Sequence, residues 1–232
     1  MPRTARPSIQ DRCRELLAFD RALAAPAPSL ALDRLARPRL VGFDEAGRGA
    51  WAGPVAVGCV HLPVSLSDDD LVSFLAGVDD SKRLTPATRE RLFARIAECA
   101  RFAVGFASAA EIDRIGIVPA CRRAAARAYK RLAVDADLAL CDRGLSLEAP
   151  GMPPHAEFTG GDGRSLHIAA ASIVAKVSRD ARMVRLDRAW PDYSLAQHKG
   201  YGTKAHRDAI LGRGVSRLHR RTYLRGLREA NL

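Results

Sequence analysis

Before residue 40 the apolar positions of this chain recur at helical spacing; beyond it they gather into short runs that read as strands. Over "SIQDRCRELLAFDRALA", Ile9, Cys13, Leu16, Leu17 and Leu23 fall near the helical period, with Ser8 placed as a cap. The stretch "APAPSLALDRLARPR" then brings Pro26, Pro28 and Pro38 and reads as a loop or broken helix. Residues 1–39 are therefore expected to form a helical appendage with its linker.

From Leu40 onward, "LVGFD" and "PVAVGCVHL" read as two strands joined by a glycine-rich loop. "RFAVGFAS" reads as a third strand, "DLALCD" as a fourth ending at Asp142, and "AEFTGGD" as a fifth ending at Asp162. After a loop carrying "DDSK", a helix is predicted from near Thr85, with Pro86 in its first turn. "VPACRRAAARAYKRLAV" is an alanine-rich helix, and "SLHIAAASIVAKVSRDARMVRLDRAW" a long one with Ser165 as cap. Strands that follow one another and then alternate with helices predict a mixed sheet with helices packed on it, an α/β fold. Residues 40–232 read as one domain, including a basic C-terminal segment over 199–232.

Composition narrows the picture. The 232 residues, 47% hydrophobic and 27% charged, are enough for a sizeable core. No apolar run is long enough to span a membrane, and the charged N-terminus lacks the apolar segment of a secretory signal. The five cysteines, at 13, 59, 99, 121 and 141, form no CxxC pair, which fits a reducing cytoplasm better than disulfides or a zinc site. From Lys199 to Leu232 there are nine Lys or Arg against two acids, so +7 of the net +11 lies in the tail. That concentration suits a polyanion such as nucleic acid, or equally an arginine-rich solvated helix face. Nothing in the pattern marks a dimer stripe, so a monomer is expected.

Four acids stand at strand ends: Asp44 and Glu45 after the first strand, Asp142 after the fourth, and Asp162 after the fifth. Taken singly, each could be a turn former. Adjacent acids gain nothing as turn formers, whereas carboxylates from neighbouring strand ends can converge on one point. Their repulsion would then be relieved by a hard divalent cation, Mg²⁺ or Mn²⁺. Successive strand residues point to opposite faces, so Asp44 and Glu45 share a site only if the strand ends between them.

"GFDEAGRGAWAGPVAVGCV", "DDSKRLT", "EIDRIGI", "GGDGRSLHIAAASIVAKVSRD", "HKGYGTKAH" and "LHRRTY" occur in the order and spacing of ribonuclease HII. Over about residues 40–225 the sequence resembles that family. The resemblance implies an RNase H-like fold, with a mixed central β-sheet flanked by helices and a small C-terminal helical part. It also implies a metal-dependent endonuclease acting on RNA/DNA hybrids and on DNA containing ribonucleotides. Such an enzyme cuts 5′ of an embedded ribonucleotide, leaves 5′-phosphate and 3′-hydroxyl ends, and serves ribonucleotide excision repair. The family's metal carboxylates fall on Asp44, Glu45, Asp142 and Asp162; its junction-sensing loop on Gly47, Arg48 and Gly49; its junction-sensing tyrosine on Tyr201; and a lysine near substrate phosphate on Lys82. Two departures stand out: Arg143 fills a position the family usually gives to glycine, and Gly116 one where it often has asparagine. The intact "GRG" and the short appendage separate the chain from the sibling class, ribonuclease HIII.

Other expectations follow from chemistry. Metal-lowered water pKa would make a histidine base unnecessary. Arg48 either meets phosphate or forms an ion pair that shapes its loop. His198 is either structural or near the site, and Lys176, Arg179 and Asp180 read as helix-face pairing. A DNA-cutting nuclease of resolvase type and an inactive hybrid-binding protein are the competing readings.

Overall fold

The computed structural model describes residues 8–24 and 38–229. Most of the expected Pro-rich linker lies outside the described residues. The elements in chain order are α1 (Ile9–Leu23), β1 (Leu40–Ala46), β2 (Val55–His61), α2 (Asp68–Leu75), α3 (Pro86–Cys99), β3 (Arg101–Ala107), α4 (Ala109–Ile115), α5 (Ile117–Leu132), β4 (Leu138–Asp142), β5 (His155–Phe158), α6 (Leu166–Ala189), α7 (Leu195–His198), α8 (Lys204–Arg213) and α9 (Arg225–Glu229). Single 3₁₀ turns punctuate them, at Ser81–Arg83, Gly161–Gly163, Pro191–Tyr193 and Arg221–Leu224.

The predicted caps are the ones used. Asp11 N–H donates to Ser8 Oγ at 3.1 Å in a capping box, Thr88 N–H to Thr85 at 3.2 Å, and Ile168 N–H to Ser165 at 3.2 Å. Helices α2, α4 and the four-residue α7 were not foreseen, whereas α8 falls in the expected C-terminal helical segment; α2, α4 and α8 each carry a capping signal. Ser67 precedes Asp68, Asp69 and Asp70, so a cap is followed by acids that suit the positive helix start. Ser108 with Glu111 forms a second capping box, and Thr203 caps α8.

The sheet runs β3-β2-β1-β4-β5. β1 pairs antiparallel with β2 and parallel with β4, and β4 parallel with β5. Because β1, β4 and β5 point the same way, their C-terminal ends open on one edge of the sheet. The fifth strand stops at Phe158, short of its expected end, so Asp162 sits in the following 3₁₀ turn rather than at a strand terminus.

One sheet face packs on α5, joining Val41, Phe43, Val57 and Cys141 with Ala120, Ala124 and Ala128. The other carries α6, α3 and α2, and α1 packs there too: Cys13, Leu16 and Leu17 share a core with Val60, Leu92, Ile96 and Ile173. Strand glycines let the helices approach. A Cβ on Gly58 would lie 2.4 Å from Ala171 O on α6, and one on Gly105 would lie 1.9 Å from Ala124 O on α5.

Candidate functional site

The parallel edge brings the strand-end acids to one place. Phe43 is the last β1 residue paired with β4, opposite Cys141, so Asp44 and Asp142 leave that ladder side by side. β1 does not end between Asp44 and Glu45, as a shared site would need. It runs on to Ala46, paired with β2 throughout. Alternation therefore sends Asp44 to the α6 side, with Leu40 and Gly42, and Glu45 to the α5 side, with Val41 and Phe43.

Each acid is held by a different neighbour. Asp142 Oδ1 accepts from Gly161 N–H at 2.8 Å, tying β4 to the turn that carries Asp162. Lys82 Nζ lies 3.3 Å from Asp162 Oδ2. Glu45 meets Arg48 Nη1 at 3.4 Å. Arg143 takes ordinary backbone geometry and donates its N–H to Phe158 O, while the left-handed position passes to Gly144 (φ 91°). The departure at Arg143 is thus absorbed one residue along, and the end of β4 is kept.

These charges strain against one another. Asp44 is 7% exposed, and burial, then the neighbouring Glu45 and Asp162, push its carboxyl well above the usual range. Burial also raises Glu45, with Arg48 opposing and Asp142 adding to the rise. Burial works against the Lys82 ammonium, yet Asp162, Asp44 and Asp80 together hold its pKa up. No group of three or more His, Cys, Asp or Glu among the described residues is already gathered tightly enough to hold an ion. The available donors are all hard oxygens, which suit Mg²⁺ or Mn²⁺ and not a thiolate-preferring metal. Four hard-oxygen donors along one edge, with Asp44 and Glu45 raised first by burial and then by neighbouring acids, are a donor set that fits a divalent ion.

The loops beside the carboxylates are built differently. Trp51 and Ala52 donate their N–H groups to Gly200 O at 2.8 and 3.1 Å. Gly53 N–H donates to Leu218 O, and Arg220 N–H to Trp51 O at 2.7 Å. The loop after β1, the loop holding Tyr201, and residues 218–220 are therefore one hydrogen-bonded unit. Tyr201 is 37% exposed, with Arg179 Cζ at 5.4 Å and Lys176 Nζ at 5.8 Å from its ring centroid.

Several side chains behave otherwise than their motifs suggest. Lys176 and Asp180 do pair, at 2.9 Å. Arg179 is instead fully buried beneath the Gly47 loop, donating to Pro54 O at 2.9 Å and Ala52 O at 3.4 Å. A Cβ on Gly47 would lie 1.7 Å from its Nε. Gly47 is thus required both for its φ of 87° and for the guanidinium packed under it. Arg48 shapes its own loop, donating to Gly144 O at 3.0 Å as well as to Glu45. His198 is structural, bonded through both ring nitrogens to Tyr193 O and Gly200 N–H. Arg220, His206 and His219 were not singled out from sequence, although "HKGYGTKAH" and "LHRRTY" contain them.

The sequence matches a family model described as Ribonuclease HII over residues 41–225. A relative named Ribonuclease HII from Geobacillus kaustophilus (strain HTA426) is 42% identical over 219 residues, covering 94% of this chain and 77% of that protein. Among solved structures, the complex of PCNA with RNase HII from Archaeoglobus fulgidus aligns with a TM-score of 0.65 and 28% identity, covering 78% of this chain and 93% of that one. Bst-RNase HIII in complex with Mn²⁺ aligns at 0.58 with 22% identity, covering 83% of this chain and 68% of that one, a likeness of fold.

Proposed function

Because the chain belongs to the ribonuclease HII family, and so is a ribonuclease H of type HII, we propose that it is a divalent-metal-dependent endonuclease of RNA/DNA hybrids that also cuts 5′ of single ribonucleotides in duplex DNA. It would leave 5′-phosphate and 3′-hydroxyl ends. One observation carries this reading: Asp44 and Glu45 lead straight into the Gly47–Arg48–Gly49 loop at the edge where β4 delivers Asp142, and Arg48 meets Glu45 at 3.4 Å.

Asp44, Glu45, Asp142 and Asp162 would hold the ions; Glu45, though it leaves β1 on the other face, lies near enough to Asp142 and Lys82 to feel both charges. When bound, Mg²⁺ or Mn²⁺ supplies Lewis-acid polarisation of the phosphate and a lowered pKa for attacking water. Asp142, locked by the Gly161 amide, offers its second oxygen. Lys82 has a 77% exposed side chain, which leaves it able to swing from Asp162 to an incoming phosphate.

The 2′-hydroxyl is what separates RNA from DNA at a cut site. Gly47 O already accepts from Ala50 N–H and Arg220, and Arg48 O from Arg220 and Tyr223 Oη. Two donors fill both lone pairs of each carbonyl. Recognition of the hydroxyl therefore falls to the loop amides. Tyr201, on the neighbouring loop, would stack on the following deoxyribose, where an added hydroxyl would crowd it. The basic segment from Arg213 to Arg228, apart from the buried Arg220, would hold the duplex backbone, giving affinity and salt dependence.

Duplex DNA bearing one ribonucleotide, incubated with the full chain and Mg²⁺ or Mn²⁺, tests this directly. Cleavage 5′ of the ribonucleotide is expected. Binding without cleavage would point to an inactive hybrid-binding protein, and cutting of all-DNA duplex to a resolvase-type nuclease.

A further inference from the structure

Residues 216–220 reach both loops through two buried side chains, His219 and Arg220. Arg220 is fully buried, and no carboxylate meets it within ion-pair distance among the described residues. Its Nε donates to Gly53 O at 3.1 Å, Nη1 to Arg48 O at 2.8 Å and Nη2 to Gly47 O at 2.8 Å. Burial, then the nearby Arg179, lower its pKa to about 10, which leaves it charged at neutral pH. Taking a guanidinium out of water costs several kcal/mol, so its three carbonyl partners must be well placed.

Those carbonyls fix where the loop amides point. In a trans peptide the C=O and the following N–H are antiparallel, and no cis bond occurs among the described residues. Turning Gly47 O and Arg48 O inward onto Arg220 therefore turns Arg48 N–H and Gly49 N–H outward. Successive amides so aimed make a small oxygen-binding concavity.

The second side chain, His219, acts through His206. The direction of every bond in this chain is fixed by partners that have only one role. Ser216 N–H can only donate, so His219 Nδ1 accepts it at 3.1 Å, and the ring proton sits on Nε2. Tyr201 O can only accept, so His206 Nδ1 carries a proton and donates it at 3.0 Å. That leaves His206 Nε2 bare to accept from His219 Nε2–H at 3.1 Å. Protonating either ring would set two N–H groups head to head. His198 stacks on His206 at 4.3 Å, 18° between planes, with its Nδ1 accepting from Gly200 N–H. Burial, opposed by the Tyr201 carbonyl, lowers His206 to about 4, in keeping with a neutral relay.

We propose that His219 and Arg220 form a two-pronged positioning clamp: Arg220 aims the Arg48 and Gly49 amides, and His219, through His206, sets the height of Tyr201 against them. The clamp rests on the junction-sensing reading given above. Neither residue touches substrate; each acts through a loop that does.

The first test uses the wild-type full chain labelled with ¹⁵N at histidine. Long-range proton–nitrogen spectra at pH 7 should show His206 neutral and protonated at Nδ1, and His219 neutral and protonated at Nε2. A charged His206, or one protonated at Nε2, would overturn the relay whatever the activity proves to be. The second test compares kcat/KM on a single-ribonucleotide duplex and on an uninterrupted hybrid. His206→Leu should lower the junction-to-hybrid ratio about tenfold, the size of one lost hydrogen bond. His206→Asn, whose amide can still donate to the Tyr201 carbonyl, should recover most of the ratio. Equal losses on both substrates, with Asn no better than Leu, would reduce the histidines to a folding role and sink this half. For the other prong, metal-free binding preference for ribonucleotide duplex over all-DNA duplex should fall about tenfold in Arg220→Lys; an unchanged preference would overturn it. Tyr201→Ala separates the two ideas: if it leaves the ratio unchanged, junction sensing fails, and the spectra still decide the clamp.

Discussion

The carboxylate edge of the sheet and the loops beside it follow opposite rules. Around the recognition loops nearly every polar group is already bonded within the protein: carbonyls to Arg220, amides to Gly200 O, imidazoles to one another. Along the carboxylate edge, burial and neighbouring acids raise the proton affinity of Asp44 and Glu45, and no three acids among the described residues are gathered on one point. Preorganised hydrogen bonds favour selectivity, because the shape is set before the ligand comes. Crowded like charges favour cation binding, because the ion relieves repulsion that folding alone cannot. The protein is internally bonded where we propose that it discriminates and electrostatically tense where we propose that it cuts.

The largest expected effect lies on the tense side. Asp44→Asn should lower metal-dependent cleavage by about 10³-fold or more, a loss of several kcal/mol of metal-held charge stabilisation. Metal-free hybrid binding should stay within about threefold and thermal stability should rise by about 0.5–2 kcal/mol, since a repelled buried charge is gone. Activity assays and melting curves of the same preparation check both; a mutant that is active, or less stable, would erase the contrast.

Next comes the brace behind that side. Asp20 on α1 accepts from His167 N–H at 3.0 Å and pairs with its Nδ1 at 2.7 Å, both side chains being buried. Arg12 also donates to Gly163 O, beside Asp162. Removing one partner of a buried pair leaves the other unsatisfied, so Asp20→Ala should cost about 3–5 kcal/mol by denaturant titration. On the recognition side, Tyr201→Ala should cost about 10- to 100-fold at single-ribonucleotide junctions, the value of one stacking contact, and little on continuous hybrids.

Acid should act on the two sides with opposite sign. His206 has a folded pKa near 4, below its ordinary 6.5, so the unfolded chain takes up the proton first. The stability it contributes is complete above pH 6.5 and is lost as pH falls toward 4. Asp44 is raised instead, so its repulsion is relieved as pH falls. Melting temperature against pH should show the Asp44→Asn advantage largest at pH 7 and shrinking in acid. The smallest effect belongs to Lys82: Lys82→Ala should weaken substrate binding only a few fold and reduce the salt slope by about 1.

Much of the α/β order was legible because capping serines, strand glycines and turn residues act locally: Ser8, Thr85 and Ser165 begin the helices expected of them. That strand-end acids could converge was legible too; the parallel β1–β4 register that sets Asp44 beside Asp142 was not. What could not be read was anything set by partners far along the chain. Glu45 parts from Asp44 because β2 holds β1 in register as far as Ala46. Arg179 and Arg220 look like surface charges in sequence, and only loop carbonyls folded over them make burial tolerable. Arg143 looked disruptive until Gly144 took the turn.

The contact between Asp20 and His167 spans 147 residues. During synthesis at about 5–20 residues per second, helix α1 therefore leaves the ribosome roughly 7–30 s before the backbone it must cap exists. Through that interval Cys13, Leu16 and Leu17 have no α6 to cover them. The same long-range tie that steadies the finished protein makes its first helix wait for its α6 partner, and that wait is an interval in which a chaperone would shield it.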